Sequence, residues 1–274
     1  MKLVIDGGSS HSKWVVIGDE VLENKSLSGI NPVAMPESIS TIIDFESPYK
    51  DQISDIYYYG SGVSNQKAED MIRMAFAKSF SQVKTTLQSD IIAACLSTSC
   101  DKTSIVSILG TGVNTVLYDG NNIAQAIKSL GYIIEEEGSG FNIGRLIVKR
   151  FLRSSMSPAD NNLFREKYLS KNEDLIHLIY THKRPNYYIA SMTEFLNECS
   201  EPLKEEILKE NFDAYTLNHI KKIDNYRDYK VNFVGSIAYV FKEHLLKSMY
   251  AIDAEIGQII KNPTNGLIEY HLKN

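Results

Sequence analysis

The residues best suited to chemistry fall at the ends of apolar runs. Asp6-Gly7-Gly8 closes the run from Leu3, Gly110-Thr111-Gly112 closes the run from Thr103, and Gly235-Ser236 closes Val231–Val234. Glycine lets the backbone approach an anion, and successive amide N–H groups make an anion-binding nest. Ser9, Ser10, Ser12 and Thr111 add hydroxyl donors, and Gly235-Ser236 opens a helix, whose first amides and positive dipole end attract negative charge. One glycine pair is ordinarily a tight turn; three, each ending a strand, point to a ligand.

Carboxylates are the second ingredient. Asp6 beside the first loop reads either as a turn-initiating Asp or as a group holding Mg2+, usually through water. Asp90 opens the stretch SDIIAACL and reads as a helix N-cap or as a general base. Glu135-Glu136-Glu137 precedes Gly138-Ser139. Such runs are normally solvated, but beside glycines they can bind hydroxyls or a metal. The usual nucleotide motifs are absent. No GxxxxGK[ST] P-loop occurs, and neither Gly60-x-Gly62 nor Gly110-x-Gly112 completes GxGxxG.

The elements that must position these groups alternate. Leu3–Asp6, Trp14–Ile17 and Val21–Leu27 read as antiparallel strands, the first two joined by GGSSHSK. Pro36–Phe45 reads as a helix, Ile53–Tyr59 as a strand and Gln66–Phe80 as a helix. Val83–Leu87, Thr103–Leu109, Asn114–Tyr118, Ile123–Ala126 and Val231–Val234 are further strands. Asp90–Leu96, Gly138–Leu152 and Ile237–Leu246 are helices, 154–230 is helix-like, and the tail offers a helix at Ala254–Ile260. Strands alternating with helices predict α/β layers. We place a domain boundary at the Asp119–Asn122 turn, giving an N-terminal lobe 1–118 and a C-terminal lobe 119–274.

Together these segments resemble the actin-like ATPase superfamily of sugar kinases, and more closely the BadF-type ATPase and N-acetylglucosamine kinase family. DGGSSHSK (6–13) resembles its phosphate-1 loop and SILGTGVN (107–114) its phosphate-2 segment. LGYIIEEEGSGFNIGR (130–145) resembles its acidic-glycine signature, and VNFVGSIA (231–238) its adenosine segment. NPTNGLIEYHL (262–272) is similar to the family's tail, where a Gly precedes a short strand or turn.

The resemblance implies two RNase H-like lobes around a nucleotide cleft, ATP and Mg2+ as cofactors, and a small amino sugar as substrate. Asp6 would position Mg2+. Asp6, Gly7, Gly8, Ser9, Ser10, Ser12 and Lys13 would hold the nucleotide from one side, Gly110, Thr111 and Gly112 from the other, and Gly235 and Ser236 would face the adenosine. Asp90 would take the proton of the acceptor hydroxyl. Asn31, Asn114, Tyr132 and Glu136 would contact the sugar, and a homodimer is an assembly the family often forms. The chain departs from the family pattern at Ser9, Val113 and Glu135-Glu136, and has Tyr132 where the family stacks a Trp.

The expected activity is therefore ATP-dependent phosphorylation of N-acetylglucosamine or a related amino sugar. Two alternatives are an electron-transfer ATPase and a non-catalytic sugar- or nucleotide-binding module that kept the fold. The electron-transfer branch holds an iron–sulfur cluster on cysteines that follow the phosphate-2 segment. Here Cys95 and Cys100 precede it and only Cys199 follows, which argues against that branch.

Composition agrees with these expectations. The 274 residues carry 29 Lys+Arg against 34 Asp+Glu, a net charge of −5, and are 43% hydrophobic. That is enough apolar material for real cores. The mild acidity and lack of a basic run argue against nucleic acid, and no stretch of roughly 18 apolar residues argues for a membrane span. With no apolar leader after MKLVID and sparse cysteines, the expected compartment is a reducing cytoplasm.

Overall fold

The computed structural model describes every residue except 9–10, 33–34, 61–62, 64–65, 100–101 and 171–172. Its strands are β1 (Lys2–Gly7), β2 (His11–Ile17), β3 (Val21–Ser28), β4 (Asp55–Gly60), β5 (Lys84–Gln88), β6 (Ser104–Leu109), β7 (Val113–Tyr118), β8 (Ile123–Ile127), β9 (Val231–Val234) and β10 (Ile256–Ile260). Its helices are α1 (Ser40–Ile43), α2 (Gln66–Ser79), α3 (Asp90–Ser99), α4 (Gly140–Leu152), α5 (Pro158–Tyr168), α6 (Leu175–Thr181), α7 (Pro185–Ser191), α8 (Glu201–Asn218), α9 (Ser236–Val240), α10 (Lys242–Tyr250) and α11 (Thr264–Lys273). The chain divides into two units: Met1–Cys100 with Asn262–Asn274, and Asp101–Lys261.

The first unit holds a five-stranded sheet in the order β3-β2-β1-β4-β5. β1, β2 and β3 form an antiparallel meander, and β4 and β5 add in parallel. Alternation along these strands gives the sheet two apolar faces. Leu3, Ile5, Trp14 and Val16 pack with Phe45, Ile72 and Phe76 on one side, and Trp14 stacks on Phe45 at 4.6 Å between ring centroids. Val4, Val15, Ile17 and Tyr59 pack with Ala93 and Leu267 on the other.

The second unit repeats the plan in the order β10-β9-β6-β7-β8. Here β6, β7 and β8 are the antiparallel meander, and β9 and β10 run parallel to β6. Its core joins α4 through Ile143, Leu146 and Ile147 to α8 through Ile207, Leu208, Phe212 and Tyr215. The stretch 154–230 is helical as read, supplying α5 to α8.

Three readings are corrected. Ala254–Ile260 is not a helix: Ile256–Ile260 is β10, paired with β9 through a bulge. Gly257 lets the Asn232 side chain come close, and Asn232 Oδ1 accepts the Gln258 N–H at 2.7 Å. The expected strand or turn after Gly266 is α11, because Gly266 allows a close approach to Ser97 of α3. The helix expected at Ile237–Leu246 breaks at Phe241 into α9 and α10.

The boundary at 118/119 also differs from the observed division. β6 and β7 pair with β9 rather than with β1, so residues from 101 belong to the second unit. The C-terminal helix returns to the first unit, where Leu267 joins the core beside Val15. Sequence order hides both facts, because parallel pairing joins segments far apart in the chain.

Candidate active site

In the first unit the chemistry gathers at the carboxyl end of β1, where ligands commonly sit in α/β sheets. Asp6 is the penultimate residue of β1, and its Oδ2 accepts the Thr264 hydroxyl of α11 at 3.0 Å. Asp90 is the first residue of α3, and its carboxylate accepts the Ile91 N–H. The amides at the helix start thus fix the orientation of this carboxylate. Burial pushes the Asp6 carboxyl up to about 6; the Thr264 hydrogen bond opposes this, the Asp90 charge adds to it, and Lys13 offsets part of it. Burial also raises Asp90, against its helix-end hydrogen bonds. Two neighbouring carboxylates poorly served by water make a site that attracts cations or protons.

Tyr58 of β4 escaped the sequence reading. Its ring is fully buried, and among the described residues its hydroxyl has no hydrogen-bond partner. It packs so closely on the loop that a methyl group built on Gly7 would lie 2.6 Å from that hydroxyl. Burial raises the phenol, and the charges of Asp90 and Asp6 raise it further, so it stays protonated beneath the two acids. An alternating buried position in an apolar strand carries no sequence signal that separates this Tyr from core. Thr264 was equally silent, because only the return of the C-terminal segment brings it to Asp6.

The other first-unit residues divide. Gly8 turns tightly over His11, and its carbonyl accepts the Ile30 N–H at 3.1 Å, which ties the loop to the segment carrying Asn31. The Asn31 N–H donates to the Ser38 hydroxyl at 3.0 Å. Lys13 is exposed, while Ser9 and Ser10 lie outside the described residues. Ser12 does not face a ligand. It is 1% exposed, donates to the Ser28 carbonyl at 2.7 Å and accepts from the Trp14 indole at 2.8 Å. The alternation of β2 turns Ser12 to the same inner face as Trp14.

In the second unit the Gly110-Thr111-Gly112 turn joins β6 to β7, and the acidic run is fastened to it. The Val113 N–H donates to Glu136 Oε2 at 2.7 Å. The Gly140 and Phe141 N–H groups, at the start of α4, donate to the Gly110 and Thr111 carbonyls at 2.8 and 3.1 Å. Ser139 caps α4 by accepting the Asn142 N–H at 3.1 Å. Asn211 of α8 accepts from the Gly138 N–H at 3.0 Å and from the Asn142 amide at 2.7 Å. The run is thus a built loop rather than a solvated one. Burial pushes Glu136 up to about 7; the Val113 hydrogen bond opposes it, and the charges of Glu135 and Glu137 add to it.

Tyr132 is 37% exposed and meets Phe141 edge to face at 5.4 Å. Asn114 is half-buried on β7 opposite Ile108. Gly235 has φ +128°, and a methyl group there would lie 2.2 Å from the Leu109 carbonyl oxygen, so only glycine fits. Ser236 is exposed at the head of α9, a helix of only 5 residues, so the dipole behind it is that of about one turn. The thiols of Cys95 and Cys199 are held up by burial, to about 12 and about 11, and Cys100 lies outside the described residues.

No protein-family profile matches the chain. A segment of 116 residues is 31% identical to the N-acetylmuramic acid/N-acetylglucosamine kinase of Clostridium acetobutylicum, covering 39% of this chain and 37% of that protein. The match thus spans little more than a third of that relative's length. The structure superposes on a candidate N-acetylglucosamine kinase from Porphyromonas gingivalis with a TM-score of 0.92 and 26% identity, over 100% of this chain and 99% of that one. It also superposes on a candidate N-acetylglucosamine kinase from Chromobacterium violaceum with a TM-score of 0.73 and 14% identity, over 98% of each chain. The protein has the actin-like ATPase fold of sugar kinases and is similar along its whole length to a candidate N-acetylglucosamine kinase.

Proposed function

We propose that this protein is an ATP-dependent kinase that phosphorylates N-acetylglucosamine or a related N-acetylated amino sugar in the cytoplasm. The observation that carries the reading is the pair of poorly hydrated carboxylates, Asp6 at the end of β1 and Asp90 at the start of α3, in a fold shared with kinases of these sugars. Phosphoryl transfer asks little covalent work of a protein; it needs positioning and charge neutralisation.

In this reading the acceptor hydroxyl oxygen attacks the γ-phosphorus of ATP. The bond to the β–γ bridging oxygen breaks, ADP leaves, and the hydroxyl proton passes to Asp90. A carboxylate raised by burial is a better base than a solvated one, and the Ile91 hydrogen bond keeps it aimed. Asp6 and the Thr264 hydroxyl offer oxygen donors of the kind that would suit Mg2+. When bound there, Mg2+ would neutralise phosphate charge, and Lys13 adds a positive charge near the same carboxylate. In the second unit, Thr111 and the Gly110–Gly112 turn offer the phosphates a small surface, and Gly235 and Ser236 offer one to the adenosine. Glu136, Asn114 and Tyr132 would hold sugar hydroxyls and the N-acetyl group.

The test is incubation of the purified protein with Mg-ATP and single sugars, following ADP release and the mass of the sugar product. Phosphorylated N-acetylglucosamine supports the reading, and no ADP release above background across hexoses and N-acetylhexosamines overturns it.

A second reading is a sugar- or nucleotide-binding module without turnover. It is favoured by the consumption of the Val113, Gly140 and Phe141 amides inside the second unit and by the inward Ser12, which leave fewer donors for phosphate. Calorimetric sugar binding without phosphorylation would select it.

A further inference from the structure

The acidic run holds more charge than Glu136 alone requires. Glu135 and Glu137 flank it, and both come close to His219, the residue that follows α8 as its C-cap. One ligand atom from each of Glu135, Glu137 and His219 lies within 4.8 Å of the others. His219 is 1% exposed, and neither ring nitrogen makes a hydrogen bond among the described residues. Its Nε2 points to Glu135, 3.4 Å from Oε1, and Glu137 Oε2 is likewise buried without a partner. An imidazole and a carboxylate oxygen shut away from water without a hydrogen bond are costly, and a native fold seldom keeps them without a use.

The surroundings hold this geometry. The His219 ring stacks on Tyr215 with centroids 5.2 Å apart and planes 22° apart. Tyr215 is itself fixed by a 2.6 Å hydrogen bond to Ser107. The loop carrying the two acids is held by the bond from Gly138 to Asn211. The ligands therefore come from two elements that are already locked to each other.

We propose that Glu135, Glu137 and His219 bind one first-row divalent cation of the Zn2+ type, at a site separate from any Mg2+ that accompanies a nucleotide. Ligand atoms about 2.0–2.2 Å from an ion stand no more than about 4.4 Å apart, so small rotations of the two half-exposed Glu side chains bring the set into range. Imidazole with two carboxylates suits Zn2+ or Mn2+ better than Mg2+, which prefers oxygen alone and keeps its water. The ion would cross-link the acidic loop to the end of α8. A second trio, Glu201, Glu205 and His244, is different. There His244 and Lys247 already bond Glu205 at 3.1 and 3.0 Å, so its charges are met within the protein.

The experiment uses the full chain stripped with chelator, without nucleotide or sugar. Titration with Zn2+ by calorimetry, and with Co2+ by visible absorption, should show one ion per chain, with a Kd at or below about 10 µM and visible bands from bound Co2+. Glu135→Gln and Glu137→Gln, both at half-exposed positions, should keep the fold by circular dichroism and weaken binding at least about tenfold. His219→Gln should abolish it, and the two Glu variants keep the test valid if the buried substitution does not fold. Mg2+ at millimolar concentration should not compete. Failure to bind Zn2+ or Co2+, or Glu variants that bind as the wild type does, overturns the proposal. Neither result bears on whether the protein is a kinase.

Discussion

The two units share one five-strand plan and differ in what they set at the end of its central strand. In the first, β1 ends in Asp6-Gly7, and the acid is joined by Asp90 from a helix and Thr264 from the far end of the chain. In the second, β6 ends in Ile108-Leu109, and the turn beyond it is met by Glu136 and by backbone amides of α4. One end concentrates charge with little to neutralise it. The other commits Glu136 and the Val113, Gly140 and Phe141 amides to its own architecture. Under the proposed function, the two like sheets would divide the work: the first unit would move a proton and hold a cation, and the second would give shape to a ligand surface.

The largest effect tests that division directly. Asp90→Asn should lower kcat about 10²–10⁴-fold while leaving ATP affinity within about threefold, measured by ADP release and by calorimetry. A variant with the wild-type rate would remove Asp90 from the mechanism.

Gly235→Ala probes the second unit's architecture instead. The methyl group would collide with the Leu109 carbonyl at a positive φ, so urea unfolding should show a loss of about 3 kcal/mol. An unchanged midpoint would show that the β6–β9 junction is looser than described.

Acid should act on the first unit through His271. This residue is buried on α11 with Tyr59 hydroxyl at 2.9 Å, and burial, helped by Lys2, lowers its pKa from 6.5 to about 4. The folded state therefore prefers the neutral ring. The stability it contributes is full above pH 6.5 and is lost as the pH falls from 6.5 towards 4, because the unfolded chain takes up a proton that the fold refuses. Between pH 7 and pH 5 the wild type should lose about 1–2 kcal/mol more than His271→Gln, by denaturant unfolding at each pH. Equal losses would detach His271 from the docking of α11.

The smallest effect concerns sugar. Glu136 titrates near 7, raised mainly by burial, so its charged form gains as the pH rises from 6 to 8. The KM for the sugar should fall over that range, and Glu136→Gln should raise KM by about tenfold and flatten its pH dependence. A Gln variant with the wild-type profile would leave Glu136 as a clamp on Val113 alone.

Much of the fold was legible because local signals agreed with it. Apolar runs closed by glycine became β1, β6 and β9, and Ser139 before the periodic Ile143, Leu146 and Ile147 became the capped start of α4. The readings that failed were those where a distant partner decided. Ile256–Ile260 is a strand because β9 lies beside it, and the tail is a helix because α3 receives it. Ser12 had the right type for a phosphate loop, yet the pleat of β2 turned it inward to Trp14 and Ser28.

The sequence by itself determined the order of strands and glycine turns and the positions of Asp6, Asp90 and Glu136, since strand ends and helix starts are written in neighbouring residues. Only the tertiary structure decided which carboxylates lose their water. It brought Thr264 to Asp6, slid the Tyr58 hydroxyl beneath the loop, and set His219 against Glu135. Burial and cross-chain neighbours set the charge of an acid, and neither is a property of the residues beside it in the chain.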